Sequence, residues 1–144
     1  MGETQMTHIT IDGKEIEADS SLTILEAAQK ADIKIPTLCY LKEVNEIGAC
    51  KMCVVEVEGK NHLVTSCNTK VAEGMQIHTK SDKVVRSRKQ VLNLLLANHD
   101  VRCFSCSKSG DCRLQDLSNE YGITKSCYEG DAAKFAPKKE NPFL

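Results

Sequence analysis

Polar and apolar positions alternate through Thr7-His8-Ile9-Thr10-Ile11, a period of two that predicts a strand. Asp12-Gly13 follows, a dipeptide that favours the two-residue hairpin turn, and Lys14 to Ala18 returns as the partner strand. The period then lengthens. Leu22, Leu25 and Ala28 share a helical face, with Ser20 or Ser21 placed to cap the helix and Pro36 requiring it to stop by Ile35. Thr37 to Lys51 has no clean period and contains Gly48-Ala49, so it reads as a loop. Alternation resumes over Met52 to Glu58, with Val55 and Val57 on one face. Gly59-Lys60-Asn61 turns the chain into a short strand over Leu63 to Ser66, and Met75 to Thr79 supplies another.

The element order β-β-α-loop-β-β-β predicts an α+β domain over residues 1–80, a small mixed sheet crossed by one helix. A longer helix follows from an N-cap at Ser81 to about Ala97, with Val84, Val91, Leu92 and Leu95 as its inner face. Lys83, Arg86 and Lys89 read as its solvated side. A third helix runs from near Asp111 to Tyr121, with Leu114, Leu117 and Tyr121 aligned and Gly122 as its stop. These two helices and the segment between them form a second unit, residues 81–123. Residues 124–144 are polar, contain Pro137 and Pro142, and read as an extended arm.

Composition narrows the function classes. The chain has 144 residues, a formal net charge of −1, 41% hydrophobic residues, 4% aromatics and no Trp. That balance gives no electrostatic case for nucleic acid, and no aromatic–basic interleaving suggests single-strand binding. Apolar runs reach only about four residues, as at Leu94–Ala97, so no membrane insertion is expected. The N-terminus lacks the apolar stretch of an export signal, and Met6 stands where a myristoylation pattern wants Ser or Thr. Neither a G-x-G-x-x-G, a Walker loop nor a nucleophile–base pair is present, so no catalytic residue is assigned.

The cysteines carry the chemistry. Cys39, Cys50, Cys53 and Cys67 are spaced C-x10-C-x2-C-x13-C, and His99, Cys103, Cys106 and Cys112 are spaced H-x3-C-x2-C-x5-C. Two four-ligand sets use seven of the eight cysteines and one of the four histidines. The candidates are iron–sulfur clusters or zinc. The first set has one C-x2-C pair, where a zinc ribbon wants two. Gly48-Ala49, directly before Cys50, supplies the small residues a cluster-wrapping loop needs. Spacing leaves open which sulfurs would pair. Three cysteines and a histidine also suit an ordinary zinc site, so the second set is open between zinc and iron–sulfur on spacing alone. Cys127 is left over, and His8, His62 and His78 lack ligand spacing. Paired thiols without an export signal point to reduced cysteines and a cytoplasmic protein rather than to disulfides.

Cys39 to Cys67, centred on Gly48-Ala49-Cys50-Lys51-Met52-Cys53-Val54-Val55-Glu56-Val57, resembles the N-terminal 2Fe–2S domain of three groups of proteins. These are the FeFe hydrogenases, the large iron–sulfur subunit of respiratory NADH dehydrogenase, and NAD-linked formate dehydrogenases. Val71-Ala72-Glu73-Gly74-Met75 and Leu94-Leu95-Leu96-Ala97-Asn98-His99 resemble the linker and helix of that family. The His99–Cys112 segment, followed by Leu114-Gln115-Asp116-Leu117, resembles its 4Fe–4S segment with one histidine and three cysteines. The resemblance covers about residues 7–123. It implies a β-grasp (2Fe–2S ferredoxin-like) domain holding a 2Fe–2S cluster on Cys39, Cys50, Cys53 and Cys67. It further implies a 4Fe–4S cluster on His99, Cys103, Cys106 and Cys112.

In that family a double-cluster module and a large catalytic domain usually follow, whereas this sequence ends after Glu140-Asn141-Pro142-Phe143-Leu144. No branch's catalytic activity is therefore carried over. The expected role is an electron-transfer subunit of a soluble multi-subunit oxidoreductase. It would link a flavin- and NAD(P)H-binding subunit to a second redox subunit of hydrogenase, formate dehydrogenase or transhydrogenase type. The competing readings are a free-standing ferredoxin-like carrier, an N-terminal piece of a longer FeFe hydrogenase-like chain, and a zinc-stabilised adaptor. The arm, through Phe135, Pro137, Pro142 and Phe143, is expected to contribute to a partner contact.

Overall fold

The computed structural model describes residues 5–128. Strands β1 (Met6–Ile11) and β2 (Lys14–Asp19) form the hairpin predicted from Asp12-Gly13 and pair antiparallel from Met6↔Asp19 to Ile11↔Lys14. Both turn residues have positive φ, +50 and +83, as a tight hairpin of this hand requires. Helix α1 is shorter than predicted, Ile24–Lys30, and its cap is Thr23 rather than Ser20 or Ser21. Thr23 Oγ1 accepts from the Glu26 N–H while the Glu26 carboxylate accepts from the Thr23 N–H, a reciprocal capping box. The helix stops early because Asp32 takes a left-handed conformation (φ +59). Its N–H reaches back to Gln29 and that of Ile33 to Ala28.

After the loop, β3 (Val54–Val57), β4 (Val64–Thr65) and β5 (Gln76–His78) complete a five-stranded sheet of order β2-β1-β5-β3-β4. All pairs are antiparallel except β1 with β5. A mixed sheet of this order with one helix across it is the β-grasp arrangement. Ile9, Ile11, Val55, Val57 and Ile77 from the sheet meet Ile24, Leu25, Ala27 and Ala28 of α1 in the main core. Each large aliphatic side chain, fully buried, contributes about 1.5–3 kcal/mol before entropy is counted.

Helix α2 (Asp82–Ala97) starts at Ser81, whose hydroxyl accepts from the Val84 N–H. Its buried positions are Val84, Arg88, Leu92 and Leu96. This corrects the predicted face: Leu95 is exposed, Val91 is half-buried, and an arginine stands in the stripe. Spacings of four leave only every fourth residue facing inward, and Leu94-Leu95-Leu96 gives the sequence no marker of which leucine that is. Lys83, Arg86 and Lys89 are exposed. A single 3-10 turn at Cys103–Ser105 has no counterpart in the predicted elements, and α3 (Arg113–Glu120) is shorter than predicted. It ends as α1 does. Gly122 (φ +67) donates to Asn119 and Ile123 to Ser118.

Met52, Leu92 and Leu117 form a second, smaller core with Leu38, Cys50, Val91, Leu114, Tyr121 and Ile123 around it. This core joins the loop of the first unit to both helices of the second. The start of the predicted arm is tied to α2: Ser126 Oγ donates to the Asn93 carbonyl, and the Cys127 N–H donates to Asn93 Oδ1. Its remainder, with Phe135, Pro137, Pro142 and Phe143, lies outside the described residues.

Candidate functional site

The loop from Pro36 to Lys51 owes its shape to backbone bonds of its own. Leu41 and Asn45 exchange both backbone hydrogen bonds, 3.1 and 2.7 Å, and Asn45 Nδ2 donates to the Cys39 carbonyl at 2.8 Å. Gly48 has φ +66, and a Cβ there would stand 3.0 Å from Thr65 Oγ1 and 3.2 Å from Asn68 Nδ2. Only glycine lets the loop lie this close to the β4 end. Lys51 also has positive φ, +58, a costly conformation for a residue with a side chain. It falls between Cys50 and Cys53.

The four thiols fall into two pairs. Cys53 and Cys67 are buried, their Sγ atoms 3.3 Å apart, brought together by β3 and the end of β4. The Cys53 carbonyl accepts from the Ser66 hydroxyl at 2.8 Å and from the Ser66 N–H at 3.1 Å, which fixes this corner. Cys39 and Cys50 are half-buried in the loop. The Cys50 N–H donates to Cys39 Sγ at 3.4 Å, and the Met52 N–H donates to Cys50 Sγ at 3.5 Å. Burial pushes the Cys50 thiol up, but backbone hydrogen bonds from Met52 and Cys39 reverse that and leave it below the usual thiol range. Burial, with the neighbouring Cys53 thiol, pushes Cys67 up to about 12.

The second set is nearer the surface. Helix α2 delivers His99 just beyond its C-cap, the 3-10 turn carries Cys103 and leads to Cys106, and Cys112 is the N-cap of α3. All four line one recess, together with Asp100, Lys108, Ser109 and Gln115. The Lys108 N–H donates to Cys106 Sγ at 3.4 Å, and Gln115 Oε1 accepts from the Gly110 N–H at 3.1 Å. Cys106 and His99 are exposed, and Cys103 and Cys112 half-buried. Among the described residues no three Cys, His, Asp or Glu side chains close on a single-ion point.

The donor chemistry fits clusters at both places. Thiols are gathered at each and backbone N–H groups point at sulfur at each, and at the first site Gly48 lets the loop close against Thr65 and Asn68, which is what a thiolate-held iron–sulfur core needs. All eight cysteines are free thiols, Cys127 among them, and Cys127 lies apart from both sets on the Asn93 side of α2. Two residues that matter here are not singled out by the sequence pattern. Met52, between Cys50 and Cys53, is wholly buried, and Arg88 is buried within hydrogen-bonding reach of Val54. The signal for Arg88 is its place midway between Val84 and Leu92 on the apolar face.

Among the described residues no helix is long and apolar enough to cross a membrane. The family model for a 2Fe–2S iron–sulfur cluster binding domain matches residues 4–82, and that for the NADH-ubiquinone oxidoreductase-G iron–sulfur binding region matches residues 88–126. The chain is 46% identical over 130 residues to the HndD subunit of an NADP-reducing hydrogenase from Solidesulfovibrio fructosivorans, covering 87% of this chain and 22% of that protein. It is 43% identical over 123 residues to the alpha subunit of an NADPH-Fe(3+) oxidoreductase from Geobacter sulfurreducens, covering 85% and 15%. Identity to the mitochondrial 78 kDa subunit of NADH-ubiquinone oxidoreductase from Candida albicans is 37% over 128 residues, covering 89% and 18%. The chain thus spans 15% to 22% of the length of these relatives. A crystal structure of an NAD+-reducing NiFe hydrogenase in its H2-reduced state superposes with a TM-score of 0.82 at 35% identity. That match covers 90% of this chain and 55% of the other.

Proposed function

This chain belongs to the family of 2Fe–2S iron–sulfur cluster binding domains, continued by a 4Fe–4S binding region, and on that premise we propose that it relays single electrons between two larger redox partners. Cys39, Cys50, Cys53 and Cys67 would hold the 2Fe–2S cluster, the buried pair Cys53 and Cys67 and the loop pair Cys39 and Cys50 supplying two thiolates each. His99, Cys103, Cys106 and Cys112 hold the 4Fe–4S cluster. When bound, the clusters supply reversible one-electron oxidation and reduction. The protein's own part is to aim N–H groups at the thiolates, exclude water from the Cys53–Cys67 side and fix the separation of the two centres.

The observation that carries this reading is the second core. Cys50 and Leu38 of the first site's loop and Leu114, two residues from Cys112, all pack against Met52, Leu92 and Leu117. Electron transfer weakens steeply with distance, so close-packed side chains joining the two ligand sets favour a relay over two independent structural metals. The relatives are named as subunits of hydrogenase, NADPH-Fe(3+) oxidoreductase and NADH-ubiquinone oxidoreductase assemblies. By analogy the donor or acceptor on one side is a flavin- and NAD(P)H-binding subunit, the second redox unit lies on the other, and the setting is the reducing cytoplasm.

The test is an anaerobic preparation analysed for iron and sulfide and examined by electron paramagnetic resonance after reduction. Two-iron and four-iron signals are expected, and Cys50→Ser should disturb the first while sparing the second. Zinc in place of iron, or a variant with unaltered spectra, overturns the proposal.

A further inference from the structure

Arg88 is only 2% exposed, and among the described residues no carboxylate lies within ion-pair distance of it. Its Nη2 donates to the Val54 carbonyl at 2.7 Å and its Nη1 to the Tyr121 hydroxyl at 3.0 Å, while Nε has no partner. These neutral acceptors satisfy donors without cancelling the charge. The recess beside it makes matters worse, since Lys34, Lys80 and Lys89 face it against the single acid Glu120. A guanidinium does not lose its proton in proteins, and burying it without negative charge nearby is strongly unfavourable.

The first site would supply negative charge one residue away from the Arg88 contact. Val54 directly follows Cys53, and Cys53 and Cys67 form the buried half of the first site. A two-iron cluster on four thiolates is anionic when oxidised and more so when reduced, and nearby charge tunes its potential. We propose that Arg88 is the fixed counter-charge of the first centre, a positioning residue whose guanidinium favours the reduced form and raises that centre's reduction potential. The inference rests on the ligand set proposed above. It also assigns the helical unit a part in setting the first centre's properties, because α2 supplies the charge and Tyr121, the C-cap of α3, holds it in place.

The test is a redox titration of the full chain, loaded anaerobically with iron and sulfide and followed by electron paramagnetic resonance, for the wild type, R88Q and R88K. The glutamine amide can still donate a hydrogen bond but carries no charge, whereas lysine keeps the charge with different hydrogen bonding. R88Q is expected to shift the two-iron midpoint downward, to shift the four-iron midpoint less, and R88K to restore most of the loss. Equal shifts in both variants, or no shift in either, overturn the proposal. If R88Q folds without its first centre while R88K loads it, the charge is required and the proposal stands. If neither loads it, Arg88 is a strut and the proposal fails. A wild-type chain lacking the two-iron signal overturns the ligand assignment itself, and this inference with it.

Discussion

The Sγ atoms of Cys53 and Cys67 lie 3.3 Å apart beneath the surface, although fourteen positions of sequence separate them. Strand pairing between β3 and β4, Val54 with Thr65 and Val55 with Val64, is what closes that gap. The sheet positions this half of the first site, while Cys39 and Cys50 sit in a loop held by its own turns.

That asymmetry has a chemical readout. In metal-free protein Cys50, whose burial is outweighed by backbone N–H groups that draw its thiol below the usual range, should alkylate first among the four thiols of the first site at pH 8. Cys67, buried and pushed up to about 12, should react last. Mass spectrometry of iodoacetamide-treated samples over time checks the order, and simultaneous labelling would count against the geometry.

Gly48→Ala should impair loading of the first centre and cost about 1–2 kcal/mol from backbone handedness alone. The contact with Thr65 and Asn68 adds to that cost. Gly74→Ala is the control. Its φ is also positive, +72, but a Cβ there meets nothing within 4 Å, so its iron content should match the wild type. Iron per chain and thermal unfolding distinguish the two.

Thr23→Ala removes the α1 cap and should lower stability by about 1 kcal/mol. The same box predicts a pH effect. The Thr23 N–H, helped by Lys42 and opposed by partial burial, holds the Glu26 carboxyl below its ordinary 4.5. A lowered folded-state value contributes stability that is complete above about pH 4.5 and is lost as pH falls through the folded value. Urea titrations of wild type and E26Q across pH 3 to 6 should therefore differ in slope, with E26Q the flatter.

His99→Cys should retain the four-iron centre and lower its potential, because a thiolate adds a negative charge that a neutral imidazole does not. Redox titration of the reconstituted variant decides this. An unchanged or higher potential excludes His99 as a ligand.

Much of the site is legible in the sequence because metal ligands announce themselves by spacing, a local property. C-x2-C with Gly48-Ala49 before it, and the hairpin at Asp12-Gly13, each need only neighbouring residues to be recognised. The Thr23 cap is equally local, marked by Glu26 three residues on, but two serines upstream compete with it. Arg88 is harder to find. It stands in a run with Lys83, Arg86 and Lys89, where positive charge suggests a wet surface, and only the helical phase set by Val84 and Leu92 turns it inward. Met52 and Leu117, residues distant in sequence, pack with Leu92 on that face, so the local spacing of Val84 and Leu92 is the one sign and the charge run around it argues the other way.

Met52 has one more consequence. It is wholly buried, flanked by two thiols of the first site, and packs with Leu92 and Leu117 of the helices that frame the second. Cofactor insertion at either place therefore acts on a shared keystone. A cluster held by Cys50 and Cys53 would brace the Met52 backbone and, through Leu92 and Leu117, the α2–α3 scaffold, and loss of iron from the second site would loosen the same packing. Maturation and decay of the two centres become cooperative, so half-loaded molecules should be scarce at equilibrium.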